Sequence, residues 1–153
     1  MTLVYRIAKT EHISDLTGIG AKLYGGRWNH RGTPMVYTSE TRSLATIEFL
    51  VHVSLPYVPT ELSIATIEVP DEFIPEESLS SSLPGNWRTS PPPLELADFG
   101  TEWARSKASL TLRVPSAVVT REYNILINPL HHDAGRVVVV EAEVYRIDER
   151  LLT

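Results

Sequence analysis

The chemistry this chain could perform rests on a carboxylate, an arginine, an aromatic ring and a hydroxyl, each in a distinctive setting. Glu48 lies in the run SLATIEFLVHV, where Leu44, Ile47, Glu48 and Val51 follow the i, i+3, i+4, i+7 spacing of one helix face. A carboxylate so placed among apolar neighbours either pairs with an arginine on a partly exposed face or stands ready beside a cation that develops in a reaction. Arg27 directly follows Gly25 and Gly26. Glycines such as Gly26 let a ligand approach the backbone and a guanidinium grips phosphate oxygens in bidentate fashion, although glycine content alone equally suits a flexible connector. Tyr37, on a short strand, either fills a core or stacks on a flat ring. Ser116 follows Pro115 at a strand-to-turn junction, where a turn or capping hydroxyl is the default reading.

Other chemistries are excluded by what is missing. There are no cysteines, so thiolate catalysis, disulfides and the common zinc sites drop out. His131, His132 and Asp133 are adjacent and point in different directions, no other His/Asp cluster has ligand spacing, and no metal site is expected. The stretch GIGAKLYGGRWN fits neither a dinucleotide-binding fingerprint nor a P-loop, and no G-x-S-x-G is present. A net charge of -5 argues against a general nucleic-acid binder. Arg6, Arg27, Arg31 and Arg42 nonetheless gather in the first third while acidic residues dominate positions 61–77, an asymmetry that suits a small anionic ligand.

The elements that must position these groups follow from the patterning. With 153 residues, one domain is expected, and the absence of a long apolar run argues against a membrane span or signal peptide, so the chain is expected in the cytoplasm. Residues 3–7 and 35–38 read as short strands, and residues 15–29 as a glycine-rich loop facing a ligand. Residues 39–41 offer caps for the helix that carries Glu48, which should stop before Pro56. Residues 61–69 alternate as a strand, 70–93 form a long Pro/Ser-rich surface excursion, and 94–108 form a helix. The segments LTLRVPSAVV, YNILINP and RVVVVEAEVYRI read as strands, the last as sheet core. This order predicts an α+β fold with a mixed or antiparallel sheet and flanking helices.

Taken together, YRIA, GGRWNHRGTPMVYTSE, SLATIEFLVH, VPSAV and YNILINP resemble the RES domain family nearly from end to end, as a multi-part pattern in fixed order. The resemblance implies a fold like that of ADP-ribosyltransferases and the role of toxin in a bacterial toxin–antitoxin pair, with an Xre-like antitoxin as partner and a homodimer within the larger complex. It also implies consumption of NAD⁺ at the nicotinamide–ribose bond, by hydrolysis, phosphorolysis or ADP-ribosylation of a protein. NAD⁺ is then a substrate, and no cofactor or metal is needed because nicotinamide leaves as a neutral ring. A non-catalytic module that binds a nucleotide or a partner is the opposing reading.

The residues matching the family's signature are Arg27, Glu48 and Ser116, with Tyr37 at the aromatic position and Asn128 in the INP segment. The resemblance implies that Glu48 stabilises an oxocarbenium-like transition state, that Arg27 holds the pyrophosphate or a ribose, and that Tyr37 stacks on nicotinamide. Ser116 would hydrogen-bond the nicotinamide or ribose side. Arg6 on the first strand is a second candidate phosphate anchor, with a structural ion pair as its alternative.

Overall fold

The computed structural model describes residues 1–53 and 58–152. Its centre is one six-stranded sheet of β1 (Thr2–Lys9), β2 (Val36–Ser39), β3 (Leu62–Val69), β4 (Thr111–Pro115), β5 (Tyr123–Ile127) and β6 (Val138–Val144). The strand order is β4-β5-β2-β1-β3-β6 and every neighbouring pair is antiparallel. Three helices, α1 (Ile19–Tyr24), α2 (Arg42–Leu50) and α3 (Leu94–Ser106), complete an α+β domain. No helix among the described residues is long and apolar enough to cross a membrane.

Pairing is uneven across the sheet. β1 and β3 run together from Thr2 opposite Val69 to Lys9 opposite Leu62, whereas β1 and β2 share one registered pair, Tyr5 opposite Ser39. The sheet is therefore two three-stranded halves joined at a narrow seam. α2 lies across both seam strands. Its start is fixed by Thr41, whose hydroxyl accepts the Leu44 N–H at 3.0 Å, and it buries Leu44, Ala45 and Thr46. It ends at Leu50; Pro56, expected to lie beyond its end, falls outside the described residues.

Strand alternation sends apolar side chains to both faces of the sheet. On one face Val4, Val36, Ala65, Ile67, Ile125 and Ile127 form a core roofed by the short turns around Ile13, Phe73 and Val137. On the other, Met35, Val114 and Leu126 meet Trp28 and the α3 residues Leu96, Trp103 and Ala104. α3 can come so close because Gly100 has no side chain: a Cβ there would stand 1.8 Å from the Trp28 carbonyl oxygen.

Three expectations change. The glycine-rich segment 15–29 is not wholly loop, since α1 occupies its middle with Gly18 and Gly25 as its end caps. The 70–93 excursion is partly a cover for the core, because Leu79, Leu83 and Trp87 pack on the Trp28 cluster. The C-terminal strand is an edge and not sheet core. Among the described residues β6 pairs with β3 alone, and Val138, Val140 and Val144 are 50%, 49% and 78% exposed. Its run of valines expresses strand propensity, which for β-branched residues is high whether or not both faces are covered.

Candidate active site

The seam opens into a cleft of about 810 Å³ whose lining includes Arg6, Gly26, Arg27, Tyr37, Glu48 and Asn124. Glu48 reaches it from the second turn of α2 and is held there by two donors. The Ser116 hydroxyl donates to its Oε1 at 2.6 Å, and Asn124 Nδ2 donates to the same oxygen at 2.9 Å. Asn124 is itself set by Ser39, whose hydroxyl donates to Asn124 Oδ1 at 2.7 Å. Among the described residues none donates to Glu48 Oε2. One oxygen is thus fixed by Ser116, just after β4, and by Asn124 of β5, while the other is left for an occupant of the cleft.

Ser116 itself does not reach the cleft. It is 2% exposed, and its oxygen accepts the N–H groups of Val118 and Val119 at 3.1 and 3.0 Å while its proton goes to Glu48. A hydroxyl has one donor and two acceptor sites. All three are spent within the protein, so in this structure Ser116 meets the cleft through Glu48 and not with its own hydroxyl.

Arg27 stands at the tip of a two-residue turn closed by Gly26 and Asn29, which form an isolated antiparallel bridge. Its Nη1 donates to the carbonyls of Trp87 at 2.8 Å and Thr89 at 3.1 Å, tying the turn to the excursion loop. Burial lowers the guanidinium pKa, while the Glu48 carboxylate and Tyr37 oppose that shift electrostatically. A cation stripped of some of its water attracts an anion more strongly than one in bulk solvent. Gly26 allows this turn to lie against Tyr37: a Cβ there would stand 2.7 Å from the Tyr37 hydroxyl.

Tyr37 has its hydroxyl fully engaged, accepting the Trp28 N–H at 3.0 Å and donating to Asn29 Oδ1 at 2.6 Å. Burial pushes its pKa well above the ordinary 10.0. What it offers the cleft is the face of a neutral ring. Arg6 leaves β1 on the same side as Val4 and Ala8 and borders the cleft at the seam. Its Nη1 donates to the carbonyls of Ile13 at 3.2 Å and Asp15 at 2.9 Å, and burial lowers its pKa against the pull of Asp15. Among the described residues it is anchored by backbone carbonyls and not by a side-chain ion pair.

Asn128 is not part of this arrangement. It is 0% exposed, its Nδ2 donates to the Ala104 carbonyl at 3.0 Å and its Oδ1 accepts the Leu130 N–H at 3.0 Å. It fastens the end of β5 to α3. The amide that serves the cleft is Asn124, four residues earlier in the same segment. A polar residue near the start of an otherwise apolar strand was the available signal, but only the pairing of Ser39 with Asn124 shows where it points. The cluster His131, His132 and Asp133 brings its ligand atoms within 4.8 Å, yet His131 Nδ1 already accepts the Asp133 N–H at 3.1 Å, so that lone pair is not free for a cation.

Known proteins share both this sequence and this architecture. The RES domain matches residues 3–148. A protein of Sphingobium sp. named Prs ADP-ribosylating toxin is 37% identical over 95% of this chain and 91% of its own length. One of Yersinia enterocolitica named Toxin Res is 41% identical over 84% of this chain and 85% of its own. Among solved structures, the M. tuberculosis MbcT–MbcA toxin–antitoxin complex superposes with a TM-score of 0.72 at 17% identity, covering 94% of this chain and 84% of that one, which shows a shared fold. With a match that runs nearly the full length and relatives this similar, the chain belongs to the RES domain family.

Proposed function

We propose that this protein is the toxin of a toxin–antitoxin pair and that it breaks the bond between nicotinamide and ribose in NAD⁺. The observation that carries the reading is Glu48, a carboxylate with one oxygen pinned by Ser116 and Asn124 in a cleft that also holds two desolvated arginines. When that bond breaks, nicotinamide leaves with the electron pair as a neutral ring, and positive charge collects on the ribose carbon and ring oxygen. A preorganised carboxylate stabilises that cation more than it stabilises the ground state, which is what lowers the barrier. Arg27 and Arg6 hold the pyrophosphate, and the ring of Tyr37 packs against the flat nicotinamide. A nucleophile then adds to the ribose carbon and releases its proton, giving free ADP-ribose from water or the 1-phosphate from phosphate. The reading includes an antitoxin of Xre type that keeps the cleft closed to substrate, and a homodimer within that complex.

A second reading, transfer of ADP-ribose to a protein, is favoured by the name of the Sphingobium relative. It shares the bond-breaking step and differs in the acceptor. The test is to incubate purified protein, free of antitoxin, with NAD⁺ alone, with phosphate and with a cell lysate, following nicotinamide and ADP-ribose products by chromatography. Release that disappears in Glu48→Gln supports an NAD⁺-consuming enzyme, and the co-product names the acceptor. No release under any of the three conditions overturns the reading in favour of a non-catalytic binding module.

A further inference from the structure

Asn29 does not itself line the cleft, yet it is hydrogen-bonded to Ala21, Gly26 and Tyr37, which do. It is 1% exposed. Its Nδ2 donates to the carbonyls of Ala21 at 2.8 Å, Thr33 at 3.0 Å and His30 at 3.2 Å, binding the middle of α1 to the segment of chain that follows the arginine turn. Its Oδ1 accepts the Tyr37 hydroxyl at 2.6 Å. Its own backbone closes the turn: Gly26 N–H donates to the Asn29 carbonyl at 3.0 Å, and Asn29 N–H to the Gly26 carbonyl at 3.4 Å. Arg27 and Trp28 are the two residues so enclosed, and Trp28 N–H is held in turn by the Tyr37 oxygen at 3.0 Å.

We infer that Asn29 is a positioning residue that sets the aim of Arg27 and the plane of the Tyr37 ring as one unit. The inference rests on the proposed reading in which those two groups receive NAD⁺. Only an amide can do this. The site needs a donor pair toward three carbonyls and an acceptor toward a phenol in one compact planar group, a combination that Asp lacks on the donor side and Ser lacks in number. The unit is independent of the one that holds Glu48, because Ser39, Ser116 and Asn124 belong to β2, the residue after β4, and β5, and share no hydrogen bond with Asn29.

That independence gives the test. Asn29→Ala and the milder Asn29→Ser are compared with Asn124→Ala for NAD⁺ turnover and for the Arg27 side-chain Nε–H resonance in ¹⁵N NMR, assigned as the signal missing from Arg27→Lys. Expected for the Asn29 variants is a KM raised about tenfold or more with kcat changed far less, together with broadening or loss of the Arg27 signal. Asn124→Ala should do the reverse, lowering kcat and leaving the Arg27 signal in place. The inference is overturned if the folded Asn29 variants keep a sharp, unshifted Arg27 resonance, or if they lower kcat with KM unchanged. Should the wild-type protein release no nicotinamide, the proposed function fails, and the Arg27 resonance still decides the role of Asn29. If Asn29→Ala does not fold, Asn29→Ser supplies the comparison.

Discussion

Replacing Glu48 by Gln keeps an oxygen where Oε1 stands, so Ser116 and Asn124 can go on donating to it. The loss should therefore appear in nicotinamide release, by a factor of roughly 10² to 10³, with little change in melting temperature. Ser116→Ala tests a different point. Removing the hydroxyl strips the Val118 and Val119 N–H groups of their acceptor, which costs about 1 to 3 kcal/mol of stability, and loosens Glu48. Since no valence of Ser116 is left for substrate, kcat should fall while KM stays nearly constant; a large rise in KM would return Ser116 to direct substrate contact. Tyr37 gives a signature in alkali. Its folded-state pKa lies above the unfolded value, so its contribution to stability is complete below pH 10.0 and shrinks above it, as the unfolded chain loses the proton that the folded one keeps. Melting temperatures measured from pH 9 to 11 should decline less steeply in Tyr37→Phe. Residue types and spacing made Arg27, Tyr37 and Glu48 readable as candidates in the sequence. They could not separate Asn124 from Asn128, because one strand segment holds both amides and only the β2–β5 register and the seat of α3 decide which is consumed by structure.

At the level of elements, α2 and β3 stood out in the sequence because each carries a strong local pattern, a capped amphipathic helix and an alternating strand. α1 did not, since its six residues are too few to show periodicity and the glycines that bound it look like loop. β6 was legible as a strand and illegible in its burial, because exposure depends on what lies alongside. The approach of α3 to the arginine turn is an element-scale fact with an element-scale prediction. Gly100→Ala places a methyl group against the Trp28 carbonyl, whose rigid backbone cannot give way cheaply. The helix must move out, so the variant should lose several kcal/mol in chemical denaturation, and any folded fraction should lose affinity for NAD⁺, because Trp28 adjoins Arg27. Unchanged stability would mean that this contact is looser than it stands here.

For the molecule as a whole, the seam matters most. Arg6 belongs to the half made of β1, β3 and β6, whereas Tyr37 and Asn124 belong to the half made of β4, β5 and β2. A dinucleotide that reaches both is a further tie between halves that share one registered strand pair, α2 and the core of one face. In the Glu48→Gln variant, NAD⁺ at about 100 times its Kd should therefore add about 2.7 kcal/mol to the unfolding free energy, and the added protection in hydrogen exchange should extend to β1 as well as β2. Protection confined to β2 would mean that the ligand does not bridge the seam.

The same strand order also sets a schedule. Two of the pairings join strands far apart in the chain: β2 must wait for β5, with Val36 opposite Ile127, and β3 must wait for β6. Arg27 and Glu48 are made early, but Glu48 acquires its two donors only after residues 116 and 124 have joined the sheet. Pairings so distant close slowly. On the proposed reading, a ribosome making this chain releases the cleft's chemistry only after residues 116 and 124 have joined the sheet, and an antitoxin has until then to be waiting.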